Sequence, residues 1–358
     1  MAMKEWLQWL PPPRSLMALL IAITGFGGRM CAAYVTHSPT LLVDACHSLC
    51  RLVGLVTTLL AYKYQRADEG AGREGRLRNT FGWTRIEVVG RLSVHVLFAS
   101  FALALVVNAL QLGVHSSHVT PPKFPRVIVL SAVVGLLLHA TNYMLLAGRE
   151  LSYSRRLSIA EGGDVVLKSG TAEPVLAHAP TDIASSLFVM AAGLTLEWEP
   201  VAARIADPAL SAAAAITLVI FNYPFMRSAG LVLLQTVPEG LGAGSLREAA
   251  LRVRGVLAVH ELHVWQLHRD RIVATAHIFY ESPEDYLSSA GLVCDVFKRH
   301  GISLVTLQPE FIVSADSDAE ERKMLIEFAN TACSCPCAKD CSAPRCCQAP
   351  RRPSVTRV

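Results

Sequence analysis

Long apolar runs dominate the first two thirds of the chain. Six of them are long enough to cross a bilayer, which takes about 20 mostly apolar residues; they lie at roughly 15–35, 40–62, 86–112, 125–147, 174–196 and 208–234. Several of these runs are interrupted by ionisable residues, which are costly at membrane depth and therefore point to function. The pattern predicts an all-α membrane bundle of six helices.

The pattern changes after Pro238. A helix is predicted at 245–254, and two strands at 256–267 and 271–280, the second with alternating apolar residues. A helix at 283–299, beginning at Ser282-Pro283, and a strand at 302–313 follow. This αββαβ order predicts a small α+β domain with its helices on one side of a sheet.

These patterns divide the chain into four segments. They are a short N-terminal segment, a six-span transmembrane domain, an α+β domain and a Cys-rich tail, at 1–14, 15–236, 237–315 and 316–358. Within the second segment, residues 149–172 are interpreted as a loop.

Composition and charge exclude several classes of protein. Only 17% of the 358 residues are charged, whereas soluble domains have about 25%. A net charge of +4, without a basic stripe interleaved with aromatic residues, argues against nucleic-acid binding. Neither a nucleophile–base constellation nor a nucleotide-binding loop occurs, so we expect no enzyme and no organic cofactor.

Basic residues are unevenly distributed among the loops. Two loops are rich in them: Lys63, Arg66, Arg73, Arg76, Arg78 and Arg85, then Arg149, Arg155, Arg156 and Lys168. The alternate loops carry fewer: Lys123, Arg126 and Arg204. The positive-inside rule then predicts a multi-pass protein with both termini in the cytosol.

Two four-residue spacings carry the candidate chemistry. The second span contains HSLCR, from His47 to Arg51, and the fifth contains HAPTD, from His178 to Asp182. Residues four apart share one face of a helix, so these side chains could converge on a centre of the tetrahedral kind that zinc accepts. A single histidine in a membrane can instead serve only as a helix–helix hydrogen-bonding group.

At this point the sequence resembles the cation diffusion facilitators, specifically the zinc transporter 1 type, the plasma-membrane zinc exporters. The resemblance extends from about residue 15 to 347. It is carried by VDACHSLC, RNTFGWTRIEVVG, HAPTD, LVLLQTVPEG, VHELHVWQLHRDRIVATAHI and TLQPEF.

The resemblance implies exchange of cytosolic zinc for protons by a dimer of six-helix protomers. Each protomer would carry a cytosolic, metallochaperone-like domain. It implies a transport site that includes His47, His178 and Asp182, with the two histidines exchanging protons for metal because histidine titrates near neutral pH. Zinc is then the substrate. The expected partners are protons, membrane lipid and a second chain, in a homodimer or a heterodimer, and the expected location is the plasma membrane rather than an intracellular vesicle.

The fourth position of the transport site departs from the family pattern, which places an aspartate where this chain has Arg51. Arg51 could pair with Asp182 and fill the site without metal. The chain would then be a transport-silent paralogue that dimerises with a homologous zinc transporter and regulates it. Alternatively, Arg51 turns towards Asp44, and Cys50 supplies a soft fourth ligand. Pro180, inside the fifth-span motif, removes one backbone donor and can kink that helix.

A second metal site is implied in the cytosolic domain. The resemblance assigns His260, His263, His277 and Glu310 to it, with Ser303 where the family has a further histidine. A structural sheet with surface histidines is the alternative.

The tail carries six cysteines, Cys333, Cys335, Cys337, Cys341, Cys346 and Cys347. Thiolates prefer zinc and copper(I), so metal handling is expected there. Palmitoylation or a solvated tail without a specific role are the alternatives.

Overall fold

A computed structural model describes residues 13–70, 81–83, 85–114, 122–150, 155–159, 165–169, 176–268 and 271–311. Contacts within the chain divide it after Leu234 into an N-terminal and a C-terminal unit, and residues 155–169 belong to the C-terminal unit. The tail cysteines lie outside the described residues, so their role stays a prediction.

Six helices in the described ranges are long and apolar enough to cross a membrane. They are α1 (Pro13–Thr36), α2 (Pro39–Gly70), α3 (Ile86–Val114), α4 (Pro125–Glu150), α5 (Ala179–Trp198) and α6 (Pro200–Leu233). Four of them begin at a proline, whose fixed φ and missing N–H suit the first helical position. The six predicted spans are therefore confirmed.

Two of the helix starts differ from the expectation. The fifth helix begins at Ala179 after a 3-10 turn, Leu176–His178, rather than near residue 174. The sixth begins at Pro200 rather than near 208, and it includes Pro208 and Pro224. The kink considered at Pro180 does not arise, because Pro180 lies in the first turn of α5, where proline starts a helix rather than bending it.

Two short antiparallel strands occupy part of the expected loop 149–172. They are β1 (Arg155–Ile159) and β2 (Val165–Ser169). Ile159, Val165 and Val166 are β-branched, and such residues favour strands. The segment therefore contains an antiparallel strand pair where the sequence analysis expected a loop.

Close helix contacts in the bundle depend on small residues. At Gly193 of α5, an added Cβ would lie 2.7 Å from Cγ2 of Val129 on α4. One buried apolar cluster joins α2, α3 and α6 and includes Cys50, Phe98 and Leu218. Large apolar side chains such as Leu103 point outwards, as a surface facing lipid requires.

The C-terminal unit confirms the predicted αββαβ order. Its elements are α7 (Ala243–Leu251), β3 (Val256–His268), β4 (Arg271–Tyr280), α8 (Pro283–Arg299) and β5 (Leu304–Phe311). The sheet order is β3-β4-β5, with an antiparallel first pair and a parallel second pair that α8 connects. Ser282 caps α8 by accepting a hydrogen bond from the backbone N–H of Asp285.

The two faces of this sheet have different character. Alternate residues of β4, among them Ala276 and Ile278, pack with Leu246 of α7 and Phe297 of α8 in one buried cluster. Because side chains alternate along a strand, His277 lies on the opposite face. The helices thus cover one face and leave the other for polar chemistry.

Candidate metal sites

Asp182 is the centre of the membrane site. It lies in the first turn of α5 and is 1% exposed. His47 donates a hydrogen bond from Nε2 to its Oδ1 at 2.8 Å, and Tyr143 donates one to Oδ2. The Arg51 Nη2 and the His139 Nδ1 lie 3.4 Å and 3.5 Å from Oδ2.

These contacts leave little room on the carboxylate. An ionised carboxylate offers about four lone-pair sites, and four side chains already approach this one. The positive charge of Arg51 compensates the charge of Asp182, so a metal ion must displace at least the guanidinium. The structure thus brings Arg51 onto Asp182, the first of the two arrangements considered for it.

In the second arrangement considered for Arg51, the guanidinium turns towards Asp44. Asp44 has a different partner in the structure. The Nε of Arg29, from α1, lies 2.8 Å from its Oδ2, and Ser185 donates a hydrogen bond to its Oδ1 at 2.6 Å. Cys50 belongs to the apolar cluster with Phe98. The arrangement with Arg51 on Asp44 and Cys50 as fourth ligand is therefore not the one found.

His178 is separated from the other predicted ligands. It belongs to the 3-10 turn and is the residue before α5, so it does not share a continuous helix face with Asp182. Its ring centre lies 4.2 Å from that of Phe225 and 5.8 Å from that of His95. Pro180 explains the difference, since proline favours the first turn of a helix and so starts α5 here.

Two residues of α4 take the place that was expected for His178. His139 and Tyr143 both approach Asp182, and the sequence analysis did not single them out. Their spacing of four within an apolar run was the available signal, the same one that marked the other two helices. Tyr143 also faces the Arg51 guanidinium, whose carbon lies 6.0 Å from the ring centre.

The C-terminal unit contains a compact cluster of metal-ligand type. Within the described residues, it is the one group of three such side chains whose ligand atoms all lie within 4.8 Å of one another: His260, His277 and Glu310. Glu310 contacts both rings, at 3.3 Å to His260 Nε2 and 2.8 Å to His277 Nδ1. The two histidines are cross-strand partners in β3 and β4.

Burial favours the metal-binding form of one of these histidines. Desolvation lowers the pKa of His260 below its ordinary value, although the nearby Glu310 carboxylate acts in the opposite direction. Neutral imidazole is the form that binds metal. Three ligands with one open position are typical of an accessible zinc site.

His263 and Ser303 do not complete this cluster. His263 is 63% exposed and its Nε2 lies 2.8 Å from the Glu261 carboxylate. A β-bulge between His260 and His263, with a positive φ at Glu261, separates the two histidines. The Ser303 hydroxyl donates to the backbone carbonyl of Ile272 at 2.8 Å, so it supports the sheet.

Comparison with known proteins identifies the family. Residues 15–234 match the cation efflux transmembrane domain. The chain is 39% identical to the proton-coupled zinc antiporter SLC30A1 of Homo sapiens over 149 residues, 41% of this chain and 27% of the relative. Alignments with SLC30A1 therefore span only about a quarter of that protein.

Two more distant relatives are covered more fully. The vacuolar zinc transporter ZRC1 of Saccharomyces cerevisiae is 26% identical over 81% of both chains. The calcium/manganese antiporter SLC30A10 of Homo sapiens is 23% identical over 93% of this chain and 84% of the relative. The resemblance noted from the motifs is confirmed, and this chain belongs to the cation efflux family.

Proposed function

We propose that the chain is a zinc transporter that exports cytosolic zinc in exchange for protons. The observation that carries this proposal is the buried Asp182 carboxylate with the His47 and His139 imidazoles against it, inside the domain that matches the cation efflux family. Relatives named as a proton-coupled zinc antiporter and a vacuolar zinc transporter favour zinc. A relative named as a calcium/manganese antiporter also carries divalent cations, so the expected substrate class is a divalent cation.

Zinc binding would begin with the departure of Arg51. Its side chain is 31% exposed, so the guanidinium can leave Asp182 for water while it stays near the face of Tyr143, which attracts cations. Asp182 and His47 are then the first two ligands. The His47 nitrogen that now donates to Asp182 must lose its proton to bind metal. In a neutral imidazole that proton moves to Nδ1, whereas an imidazole with two protons releases one, and metal entry is coupled to proton release in the second case.

The C-terminal cluster would serve as a second zinc site on the cytosolic side. Its three ligands and open position suit reversible binding rather than a closed structural site. In this proposal both termini are cytosolic, the protein works as a dimer, and the plasma membrane is its location.

A second function is favoured by one specific contact. Arg51 already compensates the charge of Asp182 at 3.4 Å, and His178 packs against Phe225 instead of approaching the carboxylate. A chain whose membrane site stays filled by its own arginine would be transport-silent. It would then regulate a homologous zinc transporter with which it dimerises.

Zinc flux in proteoliposomes tests the proposal. The purified chain is reconstituted, an outward or inward pH gradient is imposed, and zinc uptake is followed with an entrapped dye. Asp182→Asn is expected to abolish the flux. Asp207→Asn is the matched control, because Asp207 is equally buried in the bundle but contacts Thr40.

Two outcomes separate the candidate functions. Flux that depends on the pH gradient and disappears in Asp182→Asn, but not in Asp207→Asn, supports transport. A well-folded wild-type chain without flux, in which Arg51→Asp gains it, supports the silent paralogue.

A further inference from the structure

A buried pocket that holds a positively charged side chain lies beside the Asp182 site. Asp44 of α2, Ser185 of α5 and His139 of α4 contribute its polar groups, and the guanidinium of Arg29 from α1 occupies it. Arg29 Nε lies 2.8 Å from Asp44 Oδ2, and its Nη2 donates to His139 Nε2 at 2.9 Å. The Arg29 and Asp44 side chains are 6% and 1% exposed.

Charge rather than directed hydrogen bonding holds Arg29 on Asp44. The Nε and Oδ2 atoms approach closely, yet neither has a partner with hydrogen-bond geometry. Arginine usually binds a carboxylate through two aligned N–H groups. Arg29 does not make this paired contact with Asp44, and its Nη2 donates to His139 instead.

Two glycines provide the space for that charge. At Gly135 of α4, an added Cβ would lie 2.8 Å from Arg29 Nη2, and at Gly25 of α1 it would lie 3.3 Å from Nη1. A side chain at Gly135 would therefore force the Arg29 guanidinium to shift. The helices are thus shaped around a cationic group.

The two groups that contact Arg29, and the hydroxyl beside them, are all of cation-ligand type. Asp44 offers the carboxylate oxygen Oδ2 to Arg29, and Ser185 adds a hydroxyl oxygen that donates to Oδ1 of the same carboxylate. Arginine can only donate hydrogen bonds, so His139 Nε2 must present its lone pair to the guanidinium. Carboxylate, imidazole nitrogen and hydroxyl together form a donor set that a small cation can use.

We propose that Asp44, Ser185 and His139 form a buried cation-binding site that Arg29 fills from within the chain. A small external cation takes the site when the arginine is removed. The site differs from the Asp182 site in access, since Arg29 is almost completely buried whereas Arg51 is partly exposed. Arg29 is therefore less able than Arg51 to leave its carboxylate for water, and its site does not depend on whether the chain transports zinc.

Thermal unfolding of the full chain in nanodiscs tests this site. Arg29→Ala leaves the buried Asp44 charge unpaired and is expected to lower Tm by roughly 10 °C. Guanidinium chloride, far below denaturing concentrations, should restore much of that loss. Sodium chloride at equal ionic strength is the salt control.

Three further variants make the result specific. Arg29→Lys keeps the charge and should respond less to added guanidinium. Arg126→Ala removes an exposed arginine that lies 3.8 Å from Glu197, and its Tm should not respond. Arg29→Ala/Asp44→Asn removes both charges, so it should be more stable than Arg29→Ala and insensitive to guanidinium.

Zinc chloride is the second probe, with wild type and the double variant as references because zinc can bind elsewhere in the chain. A zinc response confined to Arg29→Ala would extend the site to divalent cations, and a response to guanidinium but not to sodium or zinc supports a site for guanidinium-like cations. If Arg29→Ala is recovered folded only when guanidinium is present from cell lysis onwards, the proposal is also supported. Absence of any cation response in Arg29→Ala, or an equal response in the double variant, overturns it.

Discussion

Arg51→Asp is the substitution that most changes the membrane site. It removes the guanidinium that lies on Asp182 and places a second carboxylate four residues after His47, on the same face of α2. The site then has two carboxylates and two nearby imidazoles, His47 and His139. We expect this variant to bind zinc much more tightly than wild type.

The expected size follows from the contact that zinc must displace. Opposite unit charges 3.4 Å apart attract by about 5 kcal/mol at an effective dielectric of about 20. Because the Arg51 side chain is 31% exposed, screening lowers this to about 2–3 kcal/mol. Since about 1.4 kcal/mol is a factor of ten, Arg51→Ala should raise zinc affinity by about 100-fold. Arg51→Asp should add about another factor of ten or more by supplying a ligand.

Competition with a fluorescent zinc chelator measures these affinities. The variants are compared in a Glu310→Ala background, which removes one ligand of the C-terminal cluster. Arg51→Asp/Asp182→Asn is the control, and it should lose the added high-affinity site. If folded Arg51→Asp binds zinc no better than Arg51→Ala, the two helices do not present a common site and the reasoning fails.

Three other predictions concern separate parts of the chain. His47→Ala should weaken zinc binding by the membrane domain far more than His178→Ala, because His178 packs on a phenylalanine ring; equal losses in zinc titrations would contradict this. The C-terminal unit should lose stability as the pH falls below about 6.5. Burial lowers the pKa of His260 in the folded unit, so the unfolded chain takes up a proton more readily than the folded one. Urea unfolding at several pH values measures this loss, and His260→Gln is the control that should flatten the dependence of stability on pH. Gly193→Ala should destabilise the bundle by about 1–3 kcal/mol through overpacking, and Val129→Ala should relieve this loss in thermal unfolding if the contact with Val129 is its cause.

Hydropathy was sufficient to predict that the six membrane helices exist, although not where α5 and α6 begin. Apolar runs of bilayer length locate them, and Pro39 and Pro125 each stand at a helix start. The αββαβ order of the C-terminal unit was equally accessible, because alternation in 271–280 and the cap at Ser282 are local signals. The strand pair in 155–169 was missed because its strands have only five residues each.

The membrane site was only partly predictable. Spacing placed His47 and Arg51 on one face of α2, and charge indicated that Arg51 could pair with Asp182. His178 was placed in the site because HAPTD was interpreted as one continuous helix, whereas Pro180 starts α5 after it. The spacing of His139 and Tyr143 marks one face of α4, but which faces of distant helices meet, and hence the contribution of α4 and Arg29, is not contained in a single sequence.

The most direct test is to locate zinc in the membrane domain. Cryo-electron microscopy of the full chain in nanodiscs, with and without zinc, would show what occupies Asp182. We expect metal density bonded to Asp182 and His47, with the Arg51 guanidinium no longer in contact with Asp182. Arg51 still in contact with Asp182, at zinc concentrations that support flux in proteoliposomes, would contradict it.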